Sequence, residues 1–210
     1  MTTKNLPMLL PLKRPWNHGL VLGQKRALLP KHVWAIRARL ELQDCIRDLA
    51  LFNLGIDSKL RGCDLVAIKV GDVFVNGRVK ERATIIQSKT SSPVHFEITK
   101  TTRDALGRWL SEPHMLRSKY LWPSRLGTRN HLSTRQYARL LKKWVQSINL
   151  EPSAYGTHSI RRTKAAQIYK KTGNLRAVQL LLGHSKMDCT VRYLGIDLED
   201  ALAISESIDI

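Results

Sequence analysis

The stretch LLGHSKMDCTVRYLG, residues 181–195, places a histidine directly after a glycine and a tyrosine nine residues later. Apolar residues recur at helical spacing from Leu175 up to that glycine, and glycine is the usual residue just past the end of a helix. The pattern predicts a helix that ends at Gly183, with His184 after it, and a short second helix that carries Tyr193.

The segment GTHSIRRT, residues 156–163, opens the preceding helix. The sequence predicts that this helix runs from His158 to Lys171 and stops at Gly173. His158 and Arg161 lie three residues apart, so their side chains leave the same face of the helix and can bind one anion together. A phosphate suits this pair better than a carbonyl, but such a pair on its own is a common coincidence.

The first half of the chain is predicted to be helical and then β-rich. Apolar residues at helical spacing indicate two helices between Lys31 and Leu54, which lead into RGCDL at residues 61–65. Apolar and polar residues then alternate on both sides of SKTSSP, residues 88–93, which predicts a β-hairpin with Lys89 near its turn. We therefore expect an α+β domain that is mostly helical and has a small antiparallel sheet.

A helix with two different faces is predicted after Ser133, where Ser133 and Gln136 form a capping box. Its apolar stripe consists of Tyr137, Leu140, Leu141, Trp144 and Ile148. Another face carries Arg135, Arg139 and Lys142, which suits contacts with phosphates and predicts DNA binding. A basic face that meets only solvent is the alternative.

The composition makes nucleic acid the leading partner. The 210 residues include 35 Lys and Arg against 17 Asp and Glu, a net charge of +18, and such a surface neutralises phosphates and releases their counterions. An anionic membrane is the competing partner, but the apolar runs are far shorter than the roughly 20 residues of a membrane span. The N-terminal MLLPL does not resemble a signal peptide, so we expect a cytoplasmic protein.

The N-terminal segment and the cysteines need separate interpretations. Residues 1–28 hold five Lys or Arg and no acid, which predicts a flexible basic arm that binds DNA, or a solvated tail without function. Cys45, Cys63 and Cys189 are widely spaced and form no CxxC motif, so we interpret them as reduced, structural thiols and expect no metal site.

In their order along the chain, these motifs resemble those of the tyrosine recombinase, or phage integrase, family over roughly residues 30–195. RGCDL resembles the box with the first arginine, THSIRRT the histidine-x-x-arginine box, and LLGHSKMDCTVRYL the box that joins the second histidine to the nucleophilic tyrosine. LWPSR, residues 121–125, resembles the segment between the two halves of the catalytic domain. The resemblance implies Asp64 as a supporting acid and the following catalytic residues: Arg61, Lys89, His158, Arg161, His184 and Tyr193.

The resemblance also implies an activity. The activity is site-specific recombination of double-stranded DNA through a 3′-phosphotyrosine intermediate, with no metal or ATP as cofactor. The enzyme would be associated with the nucleoid. The resemblance implies that the protein works on DNA as a homo-oligomer, with a dimer on each site and a tetramer at synapsis. An accessory protein is a further possible partner. In such relatives the segment after the tyrosine commonly packs on a neighbouring subunit. Here residues 196–210 are predicted to form an acidic tail helix. This helix either docks on a neighbouring subunit or folds back on its own domain.

Physical chemistry supports these roles separately. The guanidinium forks of Arg61 and Arg161 can bind the phosphate oxygens that gain charge during attack, and His184 can donate another hydrogen bond. Tyrosine is a poor nucleophile until cations or a base such as His158 favour its phenolate. Lys89 is then the candidate acid for the leaving 5′ oxygen. The alternatives are that Lys89 is an ordinary turn lysine, that His184 only caps a helix, and that Tyr193 is a core aromatic residue.

Most family members carry a separate DNA-clamping domain ahead of the catalytic domain, and we expect none here because the first predicted helix starts near Lys31. We therefore expect a short, single-domain recombinase in which residues 29–195 form the catalytic domain. Two other functions stay open. A type IB topoisomerase uses the same chemistry to relax supercoils, and an accessory DNA-binding protein keeps the fold but does not cut.

Overall fold

The computed structural model describes residues 24–124, residues 130–194 and Glu206. The predicted tail helix, apart from Glu206, lies outside these described residues, as do residues 1–23 of the predicted arm and Arg125. Within the described residues the elements follow in this order: α1 (Pro30–Leu42), α2 (Ile46–Ser58), α3 (Gly62–Val66), α4 (Val70–Val73), β1 (Phe74–Val75), β2 (Arg78–Val79), β3 (Arg82–Ile86), β4 (Pro93–Glu97), α5 (Lys100–Leu110), α6 (Thr134–Ser147), α7 (Thr157–Thr172), α8 (Leu175–Leu182) and α9 (Met187–Leu194).

The strands form two small antiparallel hairpins, β1 with β2 and β3 with β4. In the longer one, Arg82 pairs with Glu97 and Ile86 with Pro93. The alternation seen in the sequence is the alternation between faces, since the Val94 and Phe96 side chains are buried while Pro93 and His95 are exposed. The prediction of a mostly helical α+β fold is confirmed.

The hydrophobic core is built around α2. Every residue from 49 to 58 is buried, and α2 packs against α1, α5 and α7. Gly55 lets α7 approach closely, because a Cβ at this position would lie only 2.9 Å from Cγ2 of Ile160. The helix that precedes the first arginine motif and the helix that carries the second are thereby fixed against each other.

A second, smaller cluster joins the last three helices. Ala165 of α7, Val178 and Leu182 of α8 are buried together, and the partly buried Tyr193 and Leu194 of α9 pack on them. Apolar burial favours this packing by roughly 25 cal/mol for each Å² removed from water. The helix that carries Tyr193 is thus held mainly by α7 and α8.

Residues 24–28, which we call the N-terminal strap, lie against the domain. The Leu28 side chain is fully buried, the Leu28 N–H donates to Oγ1 of Thr163 at 3.0 Å, and the Arg26 N–H donates to the Ala154 carbonyl at 3.0 Å. The prediction of an arm that stays flexible up to residue 28 was therefore wrong for the strap. Two of its backbone N–H groups bond to Thr163 on α7 and to Ala154 before α7, and the Leu28 side chain is buried.

The cysteines differ in environment. All three are free, but Cys63 and Cys189 are exposed. The interpretation of structural thiols was wrong for these two, since neither is packed into a core cluster. Within the described ranges, no helix is both long enough and apolar enough to cross a membrane.

Candidate active site

The main-chain carbonyl of Leu182, where α8 ends, binds one motif arginine directly and is linked to the other through Gln87. Arg161 is almost completely buried, at 2% exposure, and its Nη2 donates to that carbonyl at 2.7 Å. Arg61, directly before α3, donates through Nη1 to Oε1 of Gln87. The amide of Gln87 donates in turn to the Leu182 carbonyl at 3.5 Å. This series of hydrogen bonds holds both guanidiniums on the same side of the domain.

The turn after α8 brings His184 to this place. Gly183 has a φ of 64°, a left-handed conformation that glycine adopts without steric cost. A Cβ there would lie 2.6 Å from Cγ2 of Val94 on β4, so glycine is also required by close packing. The His184 N–H donates to the Gln179 carbonyl at 3.1 Å, which completes the helix cap.

The His184 ring lies between Arg161 and α9. Its Nε2 is 3.4 Å from Nη2 of Arg161, and its Nδ1 is 3.1 Å from Oγ1 of the buried Thr190. Burial, and then the charges of Arg161 and Arg61, lower the pKa of His184 to about 4. An arginine can only donate, so the neutral ring accepts at Nε2 and carries its proton on Nδ1, facing Thr190.

Tyr193 packs against the same groups from α9. Its ring centroid is 5.4 Å from that of His184, with the rings nearly perpendicular at 82°. Cζ of Arg161 lies 5.6 Å from the tyrosine centroid and Cζ of Arg162 lies 5.0 Å from it. Burial raises the pKa of Tyr193 to about 12, although Arg161, Arg162 and Arg61 oppose this rise. The phenol is neutral near pH 7, among cations that favour its ionised form.

His158 is close to Tyr193 through its backbone. The Tyr193 hydroxyl donates to the His158 main-chain carbonyl at 3.4 Å, while the imidazole is exposed. Burial of part of the ring, followed by the charges of Arg161, Arg162 and Arg61, lowers the pKa of His158. The imidazole is therefore unprotonated near neutrality, as a base must be.

Lys89 and Asp64 occupy the hairpin side of the site. Lys89 is exposed in the β3–β4 loop and makes no hydrogen bond or ion pair with the residues that the structure describes. Asp64 is buried at 3% exposure, and its Oδ1 accepts from the N–H of Ser88 at 2.9 Å. Asp64 thus fastens to α3 the loop that carries Lys89.

A buried ion network supports the arginines from behind. Lys59 stands two residues before the first arginine with its side chain fully buried, and its Nζ donates to the Asp57 carbonyl at 2.6 Å and to Oε1 of Glu97 at 3.1 Å. Lys164, one turn after the second arginine, pairs with Oδ1 of Asp57 at 2.7 Å and with Oε1 of Glu97 at 2.6 Å. Two cations and two carboxylates thereby connect α2, β4 and α7.

The charges in this network are strongly coupled. Burial alone would raise the pKa of Asp57, but hydrogen bonds from Lys164, Thr102 and Thr99 outweigh burial, so its pKa lies below the usual range. Burial lowers the pKa of Lys59, with Glu97 acting in the opposite direction. Removing one partner would leave an uncompensated buried charge, which is strongly destabilising.

The predicted DNA-binding face of α6 is separate from this cluster. Arg135, Arg139 and Lys142 are all exposed, and the same helix buries Tyr137 on its other side, next to Gly62 of α3. The three side chains make no hydrogen bond or ion pair with the cluster among the described residues. The structure thus brings together the motif residues other than Lys89 and leaves the α6 cations on the surface.

Sequence reasoning missed three contributors, namely Gln87, Arg162 and Thr190. Gln87 and Thr190 are fully buried polar residues, and the sequence places them among other polar residues without distinguishing them. Arg162 follows directly after the motif arginine, and this doubling was the only available signal.

The fold and these clustered side chains define a tyrosine recombinase catalytic domain. The chain belongs to the phage integrase family, whose model matches residues 27–199.

Curated relatives match most of this chain. The "Probable integrase/recombinase YoeC" of Bacillus subtilis is 31% identical over 151 residues, which cover 72% of this chain and 78% of that protein. The tyrosine recombinase XerC of Actinobacillus pleuropneumoniae is 30% identical over 172 residues, which cover 77% of this chain and 51% of XerC. The match thus spans only about half the length of that XerC.

Solved structures show the same fold at low sequence identity. The XerA recombinase superposes with a TM-score of 0.71 at 16% identity, over 89% of this chain and 66% of that one. The XerH recombinase bound to its palindromic difH substrate, after cleavage, gives a TM-score of 0.69 at 18% identity, over 88% of this chain and 53% of that one.

Proposed function

We propose that this protein cuts and rejoins DNA at specific sites through a covalent 3′-phosphotyrosine intermediate on Tyr193. The observation that carries the proposal is the packing of Tyr193 between the guanidiniums of Arg161 and Arg162 and the ring of His184. Two arginines that are joined through Gln87 and the Leu182 carbonyl, beside a tyrosine on its own short helix, suit attack on a phosphodiester.

In the first step, the Tyr193 oxygen attacks the phosphorus and the bond to the 5′ oxygen breaks. Arg61 and Arg161 bind the non-bridging oxygens, where negative charge accumulates, and their planar forks suit bidentate binding. The His158 imidazole takes the phenolic proton, and Lys89 gives a proton to the departing 5′ oxygen. Attack by a 5′ hydroxyl on the phosphotyrosine reverses these transfers and reseals the strand.

The DNA-free arrangement requires one change before attack. In the assigned tautomer, Nε2 of His184 accepts from Arg161 and cannot donate to a phosphate. A phosphate anion between Arg61 and Arg161 offsets the charges that depress the pKa of His184. The ring can then carry a proton on Nε2 and bind the phosphate, as the sequence predicted.

The proposed chemistry needs neither metal nor ATP, because the arginines stabilise the phosphate charge and the phosphotyrosine bond preserves the energy of the broken phosphodiester. We expect double-stranded DNA as the partner, gripped by the excess of 35 basic over 17 acidic residues, including Arg135, Arg139 and Lys142. We further propose homo-oligomers, with a dimer on each site, a tetramer at synapsis and an accessory protein as a possible addition. A lambda integrase dimer bound to a core site is among the structures with this fold.

Tyr193→Phe tests the proposal. Wild-type protein purified from cells under denaturing conditions should carry covalent DNA, and sequencing that DNA identifies the target. The variant should carry none but bind DNA with nearly unchanged affinity, since the missing oxygen acts only in chemistry. Tyr169→Phe is the matched control and should retain the adduct.

Other outcomes separate the alternatives. An adduct that persists in Tyr193→Phe contradicts the assignment of the nucleophile. DNA binding without any adduct in the wild type indicates an accessory protein. Relaxation of supercoils without exchange of partners indicates a topoisomerase.

A further inference from the structure

Arg162 approaches Tyr193 more closely than the motif arginine does. Consecutive residues on a helix point about 100° apart, so Arg161 and Arg162 reach the tyrosine from different directions. The Arg162 Cζ lies 5.0 Å from the ring centroid, against 5.6 Å for Arg161. This is cation–π distance, at which a guanidinium both packs on the ring and acts on it electrostatically.

The charge of Arg162 is buried and has no counter-ion among the residues that the structure describes. The residue is 9% exposed, its Nη1 donates to the Lys25 main-chain carbonyl at 2.6 Å, and its Nε has no partner among the described residues. No carboxylate forms an ion pair with it in the described part of the chain. An uncompensated cation in a low-dielectric place favours any negative charge that develops beside it.

The N-terminal strap fixes this arginine and the tyrosine helix together. The Lys25 carbonyl holds the guanidinium, while the side chain of Gln24 donates to the main-chain carbonyl of Arg192, the residue before Tyr193. The strap is itself tied to α7 through Leu28 and Thr163. Arg162 is therefore held on one side by the strap and faces the tyrosine ring on the other.

We propose that Arg162 is a positioning residue for the nucleophile, which holds the Tyr193 ring in place and stabilises the phenolate through its charge. The inference rests on the proposed function, in which Tyr193 loses its proton and attacks. Among the described residues, the titratable or charged side chains that face Tyr193 from the neighbouring elements are Arg61 before α3, His158, Arg161 and Arg162 on α7, and His184 after α8. Of these, Arg161 is bound to the Leu182 carbonyl and Arg61 to the side chain of Gln87, whereas Arg162 is bound to the strap.

The acidity of Tyr193 provides a test that needs no DNA. The full chain is labelled with 3-fluorotyrosine, whose fluorine makes the phenol more acidic and brings its titration into an accessible pH range. The ¹⁹F resonance of Tyr193 is assigned by its absence in Tyr193→Phe and is followed against pH. Loss of one charge at this distance should raise the midpoint by about one pH unit in Arg162→Gln.

Three further variants control the measurement. Arg162→Lys keeps the charge and should hold the midpoint near the wild-type value. Arg162→His keeps a ring N–H donor but is uncharged at the pH where Tyr193 titrates, so it should behave like Arg162→Gln and serves as the second neutral variant if that one does not fold. Arg176→Gln removes an arginine that is bonded to Gln179 and should have no effect.

The titration and the adduct assay together separate a failure of the role of Arg162 from a failure of the proposed function. A midpoint that stays unchanged in the neutral variants, or that rises equally in Arg162→Lys, overturns the inference, because charge at position 162 is then irrelevant to the tyrosine. If the midpoint rises as expected but wild-type protein forms no DNA adduct, the proposed function fails while the electrostatic coupling stands. If the adduct forms and the midpoint does not move, only the role of Arg162 fails.

Discussion

Gly183→Ala tests whether the turn between α8 and His184 is fixed by close packing against β4. Alanine must accept a φ of 64°, and left-handed backbone costs an L-residue about 1–2 kcal/mol. Its Cβ must also displace Cγ2 of Val94, which lies 2.6 Å away, and overpacking of this kind costs about 1–3 kcal/mol. The free energy of unfolding should therefore fall by about 2–5 kcal/mol.

Gly173→Ala is the matched control for this substitution. Gly173 ends α7 with a φ of 63°, and a Cβ there would have no neighbour within 4 Å. It should lose only the backbone contribution of about 1–2 kcal/mol. The difference between the two variants isolates the contact with Val94.

Urea unfolding, followed by tryptophan fluorescence and fitted by linear extrapolation, measures both losses. In Gly183→Ala combined with Val94→Ala, the smaller side chain removes the clash, so the double variant should be more stable than the sum of the single losses implies. Equal losses at positions 173 and 183, together with additive behaviour of the double variant, would refute the reasoning. Adduct formation should also fall in Gly183→Ala but not in Gly173→Ala, because only the former displaces the Leu182 carbonyl and His184.

Two further predictions concern the hairpin lysine and the ion network. Lys89→Ala should slow cleavage of ordinary DNA but not of a substrate with sulfur as the 5′ bridging atom, since a thiolate leaves without a proton; equal slowing on both substrates removes Lys89 as the acid. The pKa values of Asp57 and Glu97 are lowered in the folded state, so their stabilisation is present above the unfolded values of 3.8 and 4.5 and is lost as the pH falls below them. Lys164→Met should be less stable than wild type at pH 7 and lose less additional stability on acidification, whereas parallel pH profiles of the unfolding free energy would contradict this coupling.

The parts of the fold that depend on local sequence could be predicted. Helix ends at Gly173 and Gly183 follow from the left-handed conformation that glycine adopts, and the β3–β4 hairpin follows from alternation around a polar turn. The motif residues were identified in a different way, from the resemblance of their motifs and of the order of those motifs to the tyrosine recombinase family. The structure brings these residues close together except for Lys89, which is exposed in the β3–β4 loop.

The contacts that organise the site could not be predicted, because they join distant segments or use the backbone. The Leu182 carbonyl collects Arg161 and Gln87, and a carbonyl has no signature in the sequence. The same holds for the Lys25 carbonyl, which binds Arg162 from 137 residues away. Lys59 is a further case, since a fully buried lysine contradicts the usual preference of its residue type and is explained only by the carboxylates that surround it.

The arrangement of charge explains why the site should respond to its substrate as a unit. Three guanidiniums, those of Arg61, Arg161 and Arg162, act on the Tyr193 ring region, while Asp64 is turned toward the hairpin loop. Their mutual repulsion is an electrostatic cost that the folded domain carries without DNA, and a phosphate anion reduces it. In the proposed mechanism, the same anion would weaken the field that keeps His184 neutral, whereas Arg162, which is bound to the strap, would continue to favour the phenolate. If the proposed roles hold, one binding event prepares His184 to donate to the phosphate and leaves in place the charge of Arg162 beside Tyr193.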